Sequence, residues 1–204
     1  QVVKEIEQLG IANNTLIIFT SDNGPVLDDG YADESVTKLG DHKPSGPFKG
    51  GKYSRYEAGT RVPTIVYWPG KILAQTNDTL VSQIDIYASL AKLVGVELNV
   101  SEAQDSQEQL AVWLGQSTQG RSELVEESLA NGSLRTGNWK YIPASEQEHS
   151  FITDSKEIES GYMNKPQLFD LLTDPNENYN LAEQNPDKVA KMDARLKQII
   201  TSGY

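Results

Sequence analysis

Four successive apolar residues, Leu16, Ile17, Ile18 and Phe19, stand out in a mixed amino-terminal sequence. An unbroken run of this kind predicts a central strand covered on both faces of an α/β sheet, where alternation would predict one wet face. Ahead of it, Val2, Ile6 and Leu9 share one helical face and Gly10 is placed to stop the helix. The chain thus opens on the αβ half of a βαβ unit and reads as a fragment of a larger fold. Residues 62–68 predict a second apolar strand. Leu80, Ile84, Ala88, Ala91 and Val94 then recur at helical spacing before Gly95, which predicts a helix packed on the sheet.

Between Glu97 and Gly120 the sequence turns polar and rich in glutamine, and a domain boundary is expected there, separating residues 1–100 from 101–204. Beyond Arg121 the pattern becomes strand-like over 124–128, 133–136 and 139–142, punctuated by Asn131-Gly132 and Gly137-Asn138. Leu168, Phe169, Leu171 and Leu172 predict one more strand, with a turn at 173–176. A last helix is expected with Asn185 as cap and Pro186 at its first position, burying Val189, Met192, Leu196 and Ile199. The second part therefore reads as a small antiparallel sheet closed by a carboxy-terminal helix.

Chemistry concentrates in two stretches. Ser21, Asp22 and Asn23 follow the first strand and are closed by Gly24 and Pro25, the position where open α/β sheets place ligands. A carboxylate beside an amide carbonyl supplies two hard oxygen donors suited to Ca²⁺ or Mg²⁺, although Asp-Asn-Gly after a strand is also ordinary turn chemistry. Some thirty residues on, Lys52 stands behind Gly50 and Gly51; glycines let a backbone approach an anion, and the lysine adds a compact positive charge. Glu57 and Arg61, four apart and opposite in charge, read as a structural ion pair, Lys49 as a solvated surface lysine, and Asp85 as a cap or surface charge. The acidic, aperiodic segment 25–48 is long for a loop inside a domain. Its His42 is a candidate substrate contact, weighed against a solvated surface histidine, and Asp28 and Asp29 are weaker candidates for binding hydroxyls.

These stretches, TSDNGP and GPFKGGKYSRYEAGTRVP, with IVYWPGKI, VSQIDIYASLAKLVG, GNWKYI and LFDLLTDPNENYNLA after them, resemble the sulfatase family of the alkaline phosphatase-like superfamily. The likeness runs in family order over nearly the whole chain. It implies the carboxy-terminal part of an alkaline phosphatase-like α/β sheet domain followed by a small antiparallel subdomain. It also implies a calcium ion ligated by Asp22 and Asn23, and a sulfate ester contacted by Lys52, which would be both catalytic and substrate-binding. Sulfatases use a formylglycine nucleophile made from Cys or Ser in a C/S-x-P/A-x-R motif; this chain has no cysteine and no such serine motif. The nucleophile is accordingly expected in a missing amino-terminal part, the first partner of this chain, and the chain alone is expected to be inactive. By the same resemblance the parent is periplasmic or secreted and acts on a sulfated glycan, since the loop around His42 is polar rather than an apolar slot.

A formal charge of -11 argues against nucleic acid and anionic membrane surfaces as partners. No apolar run approaches the roughly 20 residues that span a bilayer, and the first ten residues carry Lys4, Glu5 and Glu7 where a signal peptide needs an apolar core. Two alternatives remain open. One is a phosphodiesterase or phosphonate hydrolase of the same superfamily, relatives that tend to carry histidine where Asn23 stands. The other is a non-catalytic carbohydrate-binding or scaffold module, for which the missing nucleophile speaks.

Overall fold

A computed structural model describes residues 1–99, 101–128, 132–145 and 156–202. In chain order its elements are α1 (Val2–Gln8), β1 (Ile17–Thr20), α2 (Ser35–Lys38), α3 (Glu57–Thr60), β2 (Thr64–Tyr67), α4 (Asp85–Leu93) and α5 (Leu110–Trp113), then β3 (Glu123–Glu126), β4 (Ser133–Thr136), β5 (Trp139–Ile142), β6 (Gln167–Asp170) and α6 (Pro186–Ser202). They form two compact units that interleave along the chain. One joins residues 1–20 to 63–122, and the other joins 21–62 to the residues from 123 onward.

In the first unit α1 ends as its glycine predicts: Gly10 takes φ +69° and its amide donates to the Glu7 carbonyl at 3.0 Å. β1 pairs antiparallel with β2 in the register Ile17 to Tyr67 and Thr20 to Thr64. Among the described residues β2 is its only neighbour, and Phe19 and Ile65 are 62% and 60% exposed. The expected central strand, covered on both faces, is therefore not formed within these residues. An apolar run reports that a strand needs cover on both faces, but the cover itself must come from other elements.

The helix expected from residue 80 begins only at Asp85, and its apolar face is not the buried one. Ile84 and Val94 are exposed, whereas Asp85 and Ser89 are buried. Asp85 receives Arg121 through two bonds, Nε to Oδ2 at 2.8 Å and Nη2 to Oδ1 at 2.6 Å, together with the amides of Ser82 and Gln107. Ser89 accepts the Gln109 amide at 2.9 Å. Asp85 is therefore neither a cap nor a surface charge: it is the first residue of the helix, and its buried carboxylate binds groups outside the helix. Four donors converge on it and repay its desolvation. The polar stretch 101–120 is thereby bound onto α4 instead of hanging as a linker.

The second unit holds an antiparallel sheet in the order β3-β4-β5-β6. β4 and β5 span the residues that their patterns predict and are joined by a two-residue turn whose Gly137 takes φ +55°, a conformation that glycine adopts without steric cost. The Asn131 of the other predicted turn lies outside the described residues. α6 starts at Pro186, with the Asn185 carbonyl accepting the Val189 amide at 3.1 Å. Its Met192, Leu196 and Ile199 pack on Leu134, Tyr141 and Leu168 of the sheet, flanked by the half-buried Val189. Each such aliphatic side chain contributes about 1.5–3 kcal/mol by leaving water, so this contact is the main apolar core of the unit. Tyr56 from the 21–62 segment joins a second cluster with Ile142, Phe169 and Leu171, and this contact seats the lysine turn on the sheet.

Candidate functional site

The loop after β1 is held by its own polar groups. Ser21 Oγ donates to the Asn23 carbonyl at 3.0 Å, and Asn23 Nδ2 donates to the Gly24 carbonyl at 2.9 Å. The second bond commits the amide nitrogen and leaves Oδ1 as the donor atom that Asn23 can offer a cation. Asp22 is exposed and Asn23 half-buried.

This loop and the lysine turn are fastened through their backbones. Gly24 N donates to Gly59 O at 2.9 Å, and Lys52 N donates to Pro25 O at 2.8 Å. Contact is so close that a Cβ on Gly24 would fall 1.6 Å from the Ala58 oxygen, and one on Gly51 would fall 2.7 Å from the Pro25 oxygen. Any larger residue at Gly24 would drive the two segments apart. Asn23 and Lys52 thus stand beside a shared set of backbone bonds, although twenty-eight residues separate them in the chain.

The Lys52 ammonium meets Asp29 of the acidic loop, Nζ to Oδ2 at 2.7 Å. The Tyr53 hydroxyl donates to the same carboxylate, 3.1 Å from Oδ1 and 3.2 Å from Oδ2. The hydrogen bond from Lys52 holds the Asp29 carboxyl below its ordinary range, and the same bond pushes the lysine up. Tyr53 occupies the left-handed region at φ +76°. Lys156 anchors the base of the loop by donating to the Leu27 carbonyl at 3.1 Å and to the Asp28 carbonyl. Asp28 is engaged within the loop, accepting from the Ser35 hydroxyl at 3.1 Å and the Asp33 amide at 3.3 Å. His42 lies exposed in a turn, its amide bonded to the Leu39 carbonyl at 3.1 Å. It takes no part in the bonds that join the Asp22 loop to the Lys52 turn.

Under the turn lies a cluster that pattern reading does not find. Glu57 and Lys140 are both fully buried and pair at 3.1 Å. Lys140 also meets Glu126 at 2.8 Å and Glu177 at 3.6 Å. Arg135 reaches Glu57 at 3.3 Å, and the expected Arg61–Glu57 pair is present at 3.4 Å as the outermost of these contacts. Glu177 Oε2 accepts the backbone amide of Glu57 at 2.6 Å. Burial pushes the Glu57 carboxyl up, but Lys140 and Arg135 outweigh it and hold the group below its ordinary range. Burial raises Glu177 to about 7 against the pull of Lys140. The available signal was Lys140 itself, a charge inside the apolar strand WKYI. Lys49 is also not a freely solvated lysine: its ammonium stands 4.5 Å over the Tyr56 ring and 3.6 Å from Glu159.

The donors that could hold a metal are the Asp22 carboxylate and the Asn23 amide oxygen. They fit calcium or magnesium in kind, and two side chains leave most of the 6 to 8 oxygens that calcium takes to be supplied from elsewhere. Among the described residues no group of three or more His, Cys, Asp or Glu is arranged to hold a metal ion.

The sulfatase family model matches residues 1–96. An N-acetylgalactosamine-6-O-sulfatase of Bacteroides thetaiotaomicron is 43% identical over 98% of this chain and 39% of its own length. Human arylsulfatase A is 31% identical over 86% of this chain and 35% of its own. A solved Bacteroides thetaiotaomicron protein of glycosaminoglycan metabolism superposes with a TM-score of 0.90 at 41% identity, covering 98% of this chain and 42% of that one. A solved Pseudoalteromonas sulfatase superposes with a TM-score of 0.70 at 28% identity, over 98% and 39%. The chain therefore spans about two-fifths of the length of such relatives, and its mixed α/β architecture with antiparallel sheets and a carboxy-terminal helix is part of their alkaline phosphatase-like fold.

Proposed function

This chain belongs to the sulfatase family, and on that premise we propose that it supplies part of the active site of a calcium-dependent glycan sulfatase. The observation that carries the reading is the backbone fastening of the Asp22-Asn23 loop to the Gly50-Gly51-Lys52 turn, through Gly24 to Gly59 and Lys52 to Pro25. It gives two hard oxygen donors and one ammonium a common scaffold of short bonds, the rigidity that a charge-stabilising site requires.

Asp22 and Asn23 hold calcium through the carboxylate and the amide oxygen, with the remaining ligands coming from outside these residues. Bound there, calcium supplies a Lewis acid that draws charge from the sulfate oxygens. Lys52 donates from its ammonium to a sulfate oxygen and takes up charge that grows as the ester bond breaks. His42 contacts the sugar from the acidic loop. The nucleophile, a formylglycine by family resemblance, lies in an amino-terminal part of the same sulfatase, so this chain alone turns nothing over. That the remainder of the protein is its first partner is supported by the exposed apolar side chains of β1 and β2, Phe19, Ile65 and Tyr67. By family resemblance we place the parent in the periplasm or outside the cell; separately, among the described residues no helix is long and apolar enough to cross a membrane.

The substrate is a sulfated saccharide, and the N-acetylgalactosamine 6-sulfate named by its 43% identical relative is the first to try. In the full-length enzyme Lys52→Ala should lower kcat/KM on that ester by about 100-fold or more, the cost of removing one preorganised donor. Activity undiminished in the Lys52→Ala enzyme would refute the assignment of the site.

A further inference from the structure

The lysine proposed to meet the sulfate does not stand alone, and its companion was not recognisable from the sequence. Resting on the functional reading above, the geometry points to Asp29 as the positioning residue of Lys52. It holds the ammonium in one direction through the 2.7 Å bond to Oδ2 while the Tyr53 hydroxyl fixes the carboxylate from its other side.

Three observations converge on this assignment. A lysine side chain has four rotatable bonds and loses rotamer freedom when held still, so without a partner its ammonium would sample many directions. Asp29 takes one of its three donor hydrogens and leaves two for an incoming sulfate. The carboxylate is itself immobilised, by Tyr53 on one flank and by the Lys156 anchor at Leu27 and Asp28 on the other.

The backbone at Tyr53 carries the second observation. A left-handed tyrosine is strained relative to a right-handed one, whereas a partly exposed ion pair returns little stability. The clasp is thus not retained as a source of stability. Its conformation does place consecutive side chains, Lys52 and Tyr53, on the same carboxylate. The third observation is the connection of the site to its walls. Asp29 belongs to the long loop that also carries His42, so the same pair that aims the lysine ties down the segment proposed to shape the sugar site.

The test is a double-mutant cycle in the full-length enzyme on N-acetylgalactosamine 6-sulfate. Asp29→Ala should lower kcat/KM about tenfold, and in the Lys52→Ala background the same change should have no further effect, because a residue that acts only through the lysine has nothing left to position. Asp29→Asn, which keeps an oxygen acceptor, should stay within about threefold of wild type, with thermal melts unchanged. If Asp29→Ala does not fold, Tyr53→Phe takes its place in the cycle, with a loss of about threefold that vanishes when Lys52 is absent. Losses that multiply across the cycle, or an Asp29→Ala enzyme with a lower KM and undiminished kcat, would overturn the inference; the latter would make Asp29 a competitor of the sulfate. Full activity of Lys52→Ala itself would instead sink the functional reading beneath it.

Discussion

Two lysines of the same unit stand in opposite electrostatic settings. Lys140 is fully buried in β5 among Glu57, Glu126 and Glu177, while Lys52 is about a quarter exposed and has one carboxylate, Asp29. Burial pulls the Lys140 ammonium down, but Glu126 and Glu57 outweigh it and push the group up, so it stays charged at any physiological pH. Its neighbours consume its donors, and no substrate can reach it. Lys52 keeps donors in reserve and open to solvent. A buried lysine surrounded by carboxylates is architecture, tying the lysine turn at Glu57 to the strand at Glu126 and the 174–177 turn at Glu177. A partly exposed lysine on a strained turn has little to give stability and is available for chemistry.

The comparison breaks most readily at Lys140. Lys140→Met should destabilise the full-length protein by about 3–5 kcal/mol, read as a shift in its denaturant midpoint, because two or three carboxylates lose their buried counter-charge. Lys52→Met should move the same midpoint by less than about 1 kcal/mol. Equal shifts for the two lysines would erase the distinction.

A smaller effect sharpens it through pH. The Glu177 carboxyl is raised from 4.5 to about 7 in the fold, so the folded state holds that proton more tightly than the unfolded one. Its contribution is fully present below about pH 4.5 and is lost as the pH rises through about 7. Glu177→Gln removes the titration while keeping an oxygen for the Glu57 amide. It should be more stable than wild type at pH 8 by on the order of 2 kcal/mol and nearly equal to it at pH 4.5. A gain that does not change between those pH values would show that Glu177 does not titrate within the cluster.

The smallest expected effect lies at the exposed side. His42→Ala should lower kcat/KM on a sulfated saccharide about tenfold, consistent with one lost hydrogen bond, and alter aryl sulfate hydrolysis much less. Equal losses on both substrates would move His42 into the reacting centre, and no loss on either would make it an ordinary surface histidine.

What could be read in advance was what depends on near neighbours in sequence. The β4 and β5 strands, the Gly137 turn, the start of α6 at Pro186 and its buried face follow from periodicity and capping, which are short-range. The Asp-Asn and Gly-Gly-Lys stretches were visible as motifs for the same reason. The partners of buried charges are chosen by folding, and a one-dimensional pattern holds no signal for pairs such as Glu57 with Lys140, eighty-three residues apart. The inverted face of α4 has the same origin: Asp85 and Ser89 go inward only because Arg121 and the 105–109 backbone arrive to satisfy them. Sequence alone determined the hairpin strands and the last helix of the second part, the family and the two stretches able to carry chemistry. The tertiary structure decided which lysine is enclosed and which is offered, because desolvation and long-range pairing exist only once distant segments have met.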